Sequence, residues 1–170
     1  MKKVIVRPTP FGPVVIVWDK FNGLPKVMRI FIPKPLSASE RQASKLIPSL
    51  VSSSCREIGL IANNIKQRLR GTDILFSLDL LDFKQLSAFQ EAVLRAVNQI
   101  PKGSISTYKL IARYLGKKNA IRAVGNALAK NSFPILIPCH RVICSNGQLG
   151  GFQGGTKMKR ELLKKEKVVF

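Results

Sequence analysis

Thr107-Tyr108-Lys109-Leu110-Ile111-Ala112-Arg113-Tyr114-Leu115-Gly116, followed shortly by Asn119-Ala120-Ile121-Arg122-Ala123-Val124-Gly125-Asn126-Ala127-Leu128-Ala129-Lys130, is the stretch that decides the fold. Thr107 can cap a helix with Leu110, Ile111, Tyr114 and Leu115 turned inward, and Gly116 ends it. A short turn leads to a second helix over about 119–130. Before both, Ser87-Ala88-Phe89-Gln90 reads as a capping box. It opens a longer helix with Phe89, Val93, Val97 and Ile100 on one face, closed by Pro101-Lys102-Gly103. A longer helix followed by two short ones with a tight turn is a helix-turn-helix pattern. In the last helix, 100° per residue puts Ile121, Val124 and Leu128 on a core stripe. Arg122, Asn126 and Lys130 fall opposite, with Ala123 beside them. That outer face is basic, polar and otherwise small, which suits close approach to a nucleic-acid backbone; a plain solvated face is the alternative.

Upstream the pattern differs. Val14–Trp18 is a β-branched run, Asn22-Gly23 a turn signal and Val27–Ile32 a second apolar run. Together they predict a hairpin with a long loop over 19–25. Ser39-Glu40-Arg41-Gln42 opens a helix that Pro48 stops. Leu60, Ile61, Ile65 and Leu69 lie at helical spacing within 57–70, ended by Gly71, and Ile74–Leu80 is a short strand candidate. The chain therefore reads as α+β, with an α/β domain over 1–80 and a mostly helical domain over 81–170.

Composition narrows the partners. The chain has 170 residues, 45% of them hydrophobic, which excludes wholesale disorder. Lys and Arg number 29 against 9 Asp and Glu, a net charge of +20. Residues 1–85 hold 14 basic and 6 acidic side chains, residues 86–170 hold 15 and 3, so the helix-turn-helix half is the more basic. A field of that sign selects polyanions, nucleic acid before an anionic membrane surface. Cys55, Cys139 and Cys144 make an odd set that suits a reducing compartment. One His and no C-x-x-C leave no zinc ligand set, so no metal is expected, and no cofactor is called for. No apolar run reaches membrane-spanning length, and Arg7, Pro8 and Pro10 break up the N-terminus where a signal peptide would need an apolar region. A soluble intracellular protein is expected.

Pro134-Ile135-Leu136-Ile137-Pro138-Cys139-His140-Arg141-Val142-Ile143-Cys144 carries the chemistry. Ile135–Ile137 reads as a buried strand that delivers a Cys, the only His and an Arg at its end. A thiolate is a strong nucleophile but needs a base or cation to form near neutrality, and His140 and Arg141 can supply both. Neighbours on a strand point to opposite faces, so the pair can cooperate only if Pro138 turns the chain. Acids are scarce here. Thr156 can cap a last helix that brings Glu166 back to orient the imidazole. A small core cysteine is the alternative reading of Cys139. Gly150-Gly151-Phe152-Gln153-Gly154-Gly155 reads as a loop that could wall a pocket; it is no dinucleotide fingerprint.

Pro138-Cys139-His140-Arg141-Val142 closely resembles the O6-alkylguanine-DNA alkyltransferases, the methylated-DNA–protein-cysteine methyltransferases. The likeness takes in Ile100-Pro101-Lys102-Gly103, Thr107-Tyr108, Arg122-Ala123-Val124-Gly125, Asn131 through Val142 and Gly154-Gly155, in family order, over about 85–168. The resemblance implies an RNase-H-like α/β domain of little direct function, then a helix-turn-helix, winged-helix-like alkyltransferase domain. It implies Cys139 as methyl acceptor, His140 as base through a water, Glu166 as its orienting carboxylate, and Tyr108 as hydrogen-bond or proton donor to guanine. Arg122 would fill the gap left by a flipped nucleotide. Thr107, Ala123, Gly125, Asn126, Ala127 and Lys130 would meet the DNA from the minor groove. Asn131 is similar to the family's hinge asparagine, Arg141 would brace that hinge, and Val142, Phe152, Gln153 and Gly154 would line the guanine pocket. Phe152-Gln153 stands where several members have Tyr-Ser, a change that touches pocket selectivity.

The implied activity is direct, irreversible, single-turnover transfer of an alkyl group from O6-alkylguanine in double-stranded DNA to Cys139 by a monomer, cytoplasmic or, in a eukaryote, nuclear. Whether O4-alkylthymine or bulky alkyl groups are accepted stays open. A basic DNA-binding module or damage marker without chemistry is the alternative, and retention of Cys139 speaks against it. A Cys-His hydrolase leaves the charge and the Arg122 helix unexplained.

Overall fold

A computed structural model of the chain describes residues 1–33, 51–72, 74 and 76–169; the helix expected to open at Ser39 lies outside the described residues. Strands β1 (Lys2–Val6), β2 (Val14–Phe21) and β3 (Leu24–Phe31) form an antiparallel meander, and β4 (Val51–Ser52) joins β1 in parallel. The sheet order is β3-β2-β1-β4. Val14, Ile16 and Trp18 alternate along β2 into the core, the period of a half-buried strand. The long loop expected over 19–25 is instead a two-residue turn. Both strands run up to Asn22 and Gly23, whose φ values of 50° and 79° fit the twist of a tight hairpin. Pro25 suggested a loop, yet it sits in the edge strand β3, where a missing N–H is tolerated. Strand β1 was not foreseen, because Lys2 and Lys3 interrupt its apolar signal.

Helix α1 (Arg56–Leu69) packs under the sheet through Ile58, Ile61, Ile65 and Leu69. The stripe runs through Ile58 rather than Leu60, which is exposed. No strand forms over the described residues of 74–80. A single 3-10 turn at Leu78–Leu80 stands there instead, capped by the Ser77 hydroxyl, which accepts from the Asp79 N–H.

Helices α2 (Ala88–Asn98), α3 (Tyr108–Tyr114) and α4 (Ile121–Ala129) form the helix-turn-helix unit. Its caps are those the sequence predicts: Ser87 Oγ accepts from Gln90 N–H, and Thr107 Oγ1 accepts from Leu110 N–H. Three inward assignments change. Leu110, Tyr114 and Ile121 are exposed, and Ile111, Ala112, Val124, Ala127 and Leu128 face the core. In helices of two or three turns, a shift of one position rotates the stripe by 100°. Two short parallel strands, β5 (Ser106–Thr107) and β6 (Val142–Ile143), tie the start of α3 to the far end of the Pro134–Cys144 segment. Helix α5 (Gly155–Lys165) begins at Gly154, not at a Thr156 cap. One continuous apolar core joins the sheet to the helices, from Trp18 and Ile65 through Leu94 to Phe133 and Leu136.

Gly71 marks where α1 meets the end of α5. Its φ is +90°, and a Cβ there would lie 2.6 Å from the Lys165 carbonyl oxygen. Gly23 has a similar φ of +79° but open space around it. Gly23→Ala should therefore cost only the left-handed backbone penalty of about 1–2 kcal/mol, and Gly71→Ala should cost distinctly more. Urea midpoints of the two variants test this ordering.

Candidate functional site

The segment that follows α4 is a turn, not the strand expected over 135–137. Pro134 and Ile137 form an isolated bridge, and Ile137 N–H donates to Phe133 O at 2.9 Å. Between them Ile135 sits at φ 75°, a left-handed conformation that costs a β-branched residue about 1–3 kcal/mol. Pro138 then turns the chain into a 3-10 turn at Cys139–Arg141. That turn is the change of direction the adjacent Cys-His pair needed, and no hydrogen bond joins the two side chains among the described residues.

Cys139 is 6% exposed. Its Sγ accepts a hydrogen bond from Asn131 Nδ2 at 3.2 Å. The same amide donates to Ile137 O, and Asn131 Oδ1 accepts from Phe133 N–H at 2.9 Å. Asn131 thus links the end of α4 to the sulfur. Burial pushes the Cys139 thiol up; the Asn131 hydrogen bond, the Lys159 charge and the backbone N–H groups of Cys139 and His140 pull the other way.

Glu166, at the end of α5, closes the far side. Its Oε1 lies 3.0 Å from His140 Nε2 and accepts from Arg141 Nη2 at 2.8 Å, while Oε2 accepts from Arg141 Nε at 2.9 Å. Arg141 Nη1 donates to Ile100 O at 2.6 Å. Burial would raise the Glu166 carboxyl, but the hydrogen bonds from His140 and Arg141 outweigh it and hold the carboxyl at about 2. Burial pushes His140 down, against the hydrogen bond and charge of Glu166. The imidazole is therefore neutral near pH 7. With Nε2–H committed to Glu166, Nδ1 is the basic atom, and it is buried without a hydrogen-bond partner among the described residues.

A cavity of about 530 Å³ opens beside the sulfur. Cys139, Tyr108, Gly151, Phe152 and Gln153 form one part of its wall, and Gly125, Leu128 and Ala129 of α4 form the rest. Val142 and Gly154, expected in the wall, are not part of it. Burial and the neighbouring Cys144 and Cys139 sulfurs push the Tyr108 phenol up, so it stays a proton donor at neutral pH. The Phe152 ring meets the His140 ring edge-on at 6.1 Å. Gln153 Nε2 donates to Asn131 O at 2.7 Å and Ala129 O at 3.1 Å, latching the loop to the end of α4.

Helix α4 carries Arg122, Ala123 and Asn126 on the exposed face next to this cavity, and Lys130 caps its C-terminal end in the open. Gly125 borders the cavity, and Ala127, expected on the outer face, is buried in the core. Thr107 spends its hydroxyl on the α3 cap.

Sequence reading missed Lys159. It is fully buried, and its ammonium donates to Val142 O at 2.6 Å, to Leu149 O and to Gly151 O at 3.3 Å. Burial lowers its pKa to about 8, against the attraction of Cys139 and Cys144. The signal was present: Lys159 lies on the stripe of Met158, Leu162 and Leu163 that α5 turns inward.

A family model described as 6-O-methylguanine DNA methyltransferase, DNA binding domain, matches residues 88–168. A methylated-DNA–protein-cysteine methyltransferase from Methanothermobacter thermautotrophicus is 42% identical over 117 residues, 69% of this chain and 65% of the relative. One from Methanosarcina barkeri is 47% identical over 92 residues, 54% of this chain and 58% of the relative. The chain thus spans less than two thirds of these curated relatives' length. Among solved structures, Mycobacterium tuberculosis OGT in complex with DNA superposes with a TM-score of 0.74 at 28% identity, over 98% of this chain and 91% of that one.

Glu166→Gln removes the carboxylate that pairs with the buried Arg141 guanidinium and should destabilise the protein by about 3–5 kcal/mol. In the unmutated protein the carboxyl titrates at about 2 rather than the ordinary 4.5, so its stabilisation is complete above pH 4.5 and is lost as pH falls toward 2. Urea unfolding between pH 6 and 2 should show that acid loss in the unmutated protein and a reduced one in the variant.

Proposed function

We propose that this chain is a member of the O6-alkylguanine-DNA alkyltransferase family through residues 88–168, and that it repairs duplex DNA by taking the alkyl group of O6-alkylguanine onto Cys139. The observation that carries the reading is the placement of the Cys139 sulfur in the wall of a cavity shared with the small residues of a basic helix. A thiol cannot reach a base inside a duplex, so the nucleotide must be flipped out at a cost of a few kcal/mol. Arg122, exposed on α4, is suited to fill the gap that the base leaves. Ala123 and Asn126 allow close approach from the minor groove, and Lys130 adds charge at the helix end. Phosphate contacts from the basic surface give affinity without sequence preference.

In the cavity, neutral His140 takes the thiol proton at Nδ1 through a bridging water, while Glu166 holds the opposite ring nitrogen. Arg141 keeps Glu166 ionised. The Cys139 thiolate attacks the alkyl carbon in line, so an S–C bond forms as the C–O6 bond breaks. The electron pair passes to the guanine, where the Tyr108 hydroxyl donates a hydrogen bond or proton to the ring. The product is a thioether that no neighbouring group can cleave, which makes each molecule good for one turnover. The mixed sheet with parallel β1 and β4 supports an RNase-H-like reading of residues 1–80, and α2 to α4 with the short β5–β6 pair support a winged-helix-like reading of the remainder. We read the protein as a monomer acting in a reducing compartment. Among the described residues no helix is long and apolar enough to cross a membrane.

Incubation with a duplex carrying O6-methylguanine should add one methyl mass to the peptide containing Cys139, and Cys139→Ala should bind the duplex without repairing it. An unchanged peptide mass with the lesion intact refutes the reading. Because burial holds His140 below its ordinary 6.5, the transfer rate should persist as pH drops to that value and fall only beneath it. Quench kinetics from pH 8 to 5 test this; a rate that declines with a midpoint at or above 6.5 removes His140 as the base.

A further inference from the structure

The Phe133–Ile137 turn fixes where Cys139 points, and two sides hold it. On one side Asn131 binds Ile137 O, Phe133 N–H and the sulfur itself. The other side is supplied from the far half of the molecule. Arg68, in the last turn of α1, donates from Nη1 to Leu136 O at 2.8 Å and to Ile135 O at 3.2 Å, and from Nη2 to Ile74 O at 2.6 Å. Ile30 N–H of β3 adds a bond to Ser132 O at 2.8 Å. We propose that Arg68 is a positioning residue for alkyl transfer, a clamp across the two halves that holds the Phe133–Ile137 turn so that Cys139 stays aligned for attack.

The inference rests on the alkyl-transfer reading of Cys139. Three features carry it. Ile135 occupies a left-handed conformation that a β-branched side chain keeps only where its surroundings over-determine it, and the guanidinium grips the two carbonyls that follow. These contacts are charge-assisted and use the planar fork, which a lysine ammonium cannot reproduce. The next peptide group, that of Ile137, accepts from Cys139 N–H at 2.8 Å, so a displacement of the turn passes directly to the nucleophile. In-line attack is unforgiving, and a shift of about 1 Å can cost about a hundredfold in rate. The first half of the chain then does more than scaffold: it sets the geometry of a reaction whose reacting groups all lie in the second half.

The test is single-turnover transfer from a duplex containing one O6-methylguanine, comparing the unmutated chain with Arg68→Met and Arg68→Lys. Three quantities are read: the transfer rate constant, the amplitude (the fraction of molecules that accept a methyl) and the Kd for an unmodified duplex. The rate constant should fall about tenfold or more in Arg68→Met and less in Arg68→Lys, with amplitude kept and Kd within about twofold. A purely structural role lowers the amplitude while the surviving molecules react at the unmutated rate, and that result overturns the proposal, as do unchanged rate constants in both variants. If Arg68→Met does not fold, Arg68→Lys decides by the same criteria. No transfer by the unmutated chain overturns the reading of Cys139 itself.

Discussion

The buried carboxylate of Glu166 holds the molecule's chemistry in place. In a chain with 29 basic and 9 acidic side chains, one of the three acids of the second half is sealed inside, shared between an imidazole and a guanidinium. The arrangement joins the end of α5 to the Cys139–Arg141 turn and, through Arg141, to the Ile100 carbonyl just beyond α2. Desolvating so many charged atoms is costly. The cost is met here because each oxygen of the carboxylate has a donor and the guanidinium also reaches a backbone carbonyl. The turn that carries Cys139 is therefore fixed by electrostatics as much as by packing.

A second consequence concerns the two halves of the chain. The Asn131–Cys144 segment leaves α4 and at once meets β3 through Ser132 and α1 through Ile135 and Leu136. Phe83, just past the first domain, and Phe133 of that segment meet edge to face at 5.5 Å. The apolar core continues across the junction without a break. Basic charge is spread over both halves, and the proposed site lies where the second leans on the first.

Sequence reading recovered what depends on local rules. The Ser87 and Thr107 caps, the three-helix order and the exit turn after Pro138 each follow from a few adjacent residues. So did the return of Glu166 to His140, because acids are so rare in that half that few candidates existed. Most of the failures share a cause: long-range packing decided them. Leu60, Leu110, Tyr114 and Ile121 are apolar and correctly placed in helices, yet short helices left their rotation to the partners they meet. Ile135–Ile137 reads as a strand by composition, but it is bent by contacts from residues some seventy positions earlier. Arg68 was passed over for the same reason, and Lys159 although its place on the inward stripe of α5 marked it. A long cation looks like surface until the carbonyls that would receive it are known.

Lys159 also changes what the glycine-rich segment means. Gly147, Gly150, Gly151 and Gly154 suggest a floppy flap, but an ammonium nailed to carbonyls at positions 142, 149 and 151 gives that flap a rigid spine. The entropy of arranging it was spent when the chain folded. On the proposed reading, a flipped purine would enter a ready-made berth, and its binding energy would go toward leaving the helix stack rather than toward shaping the protein around it.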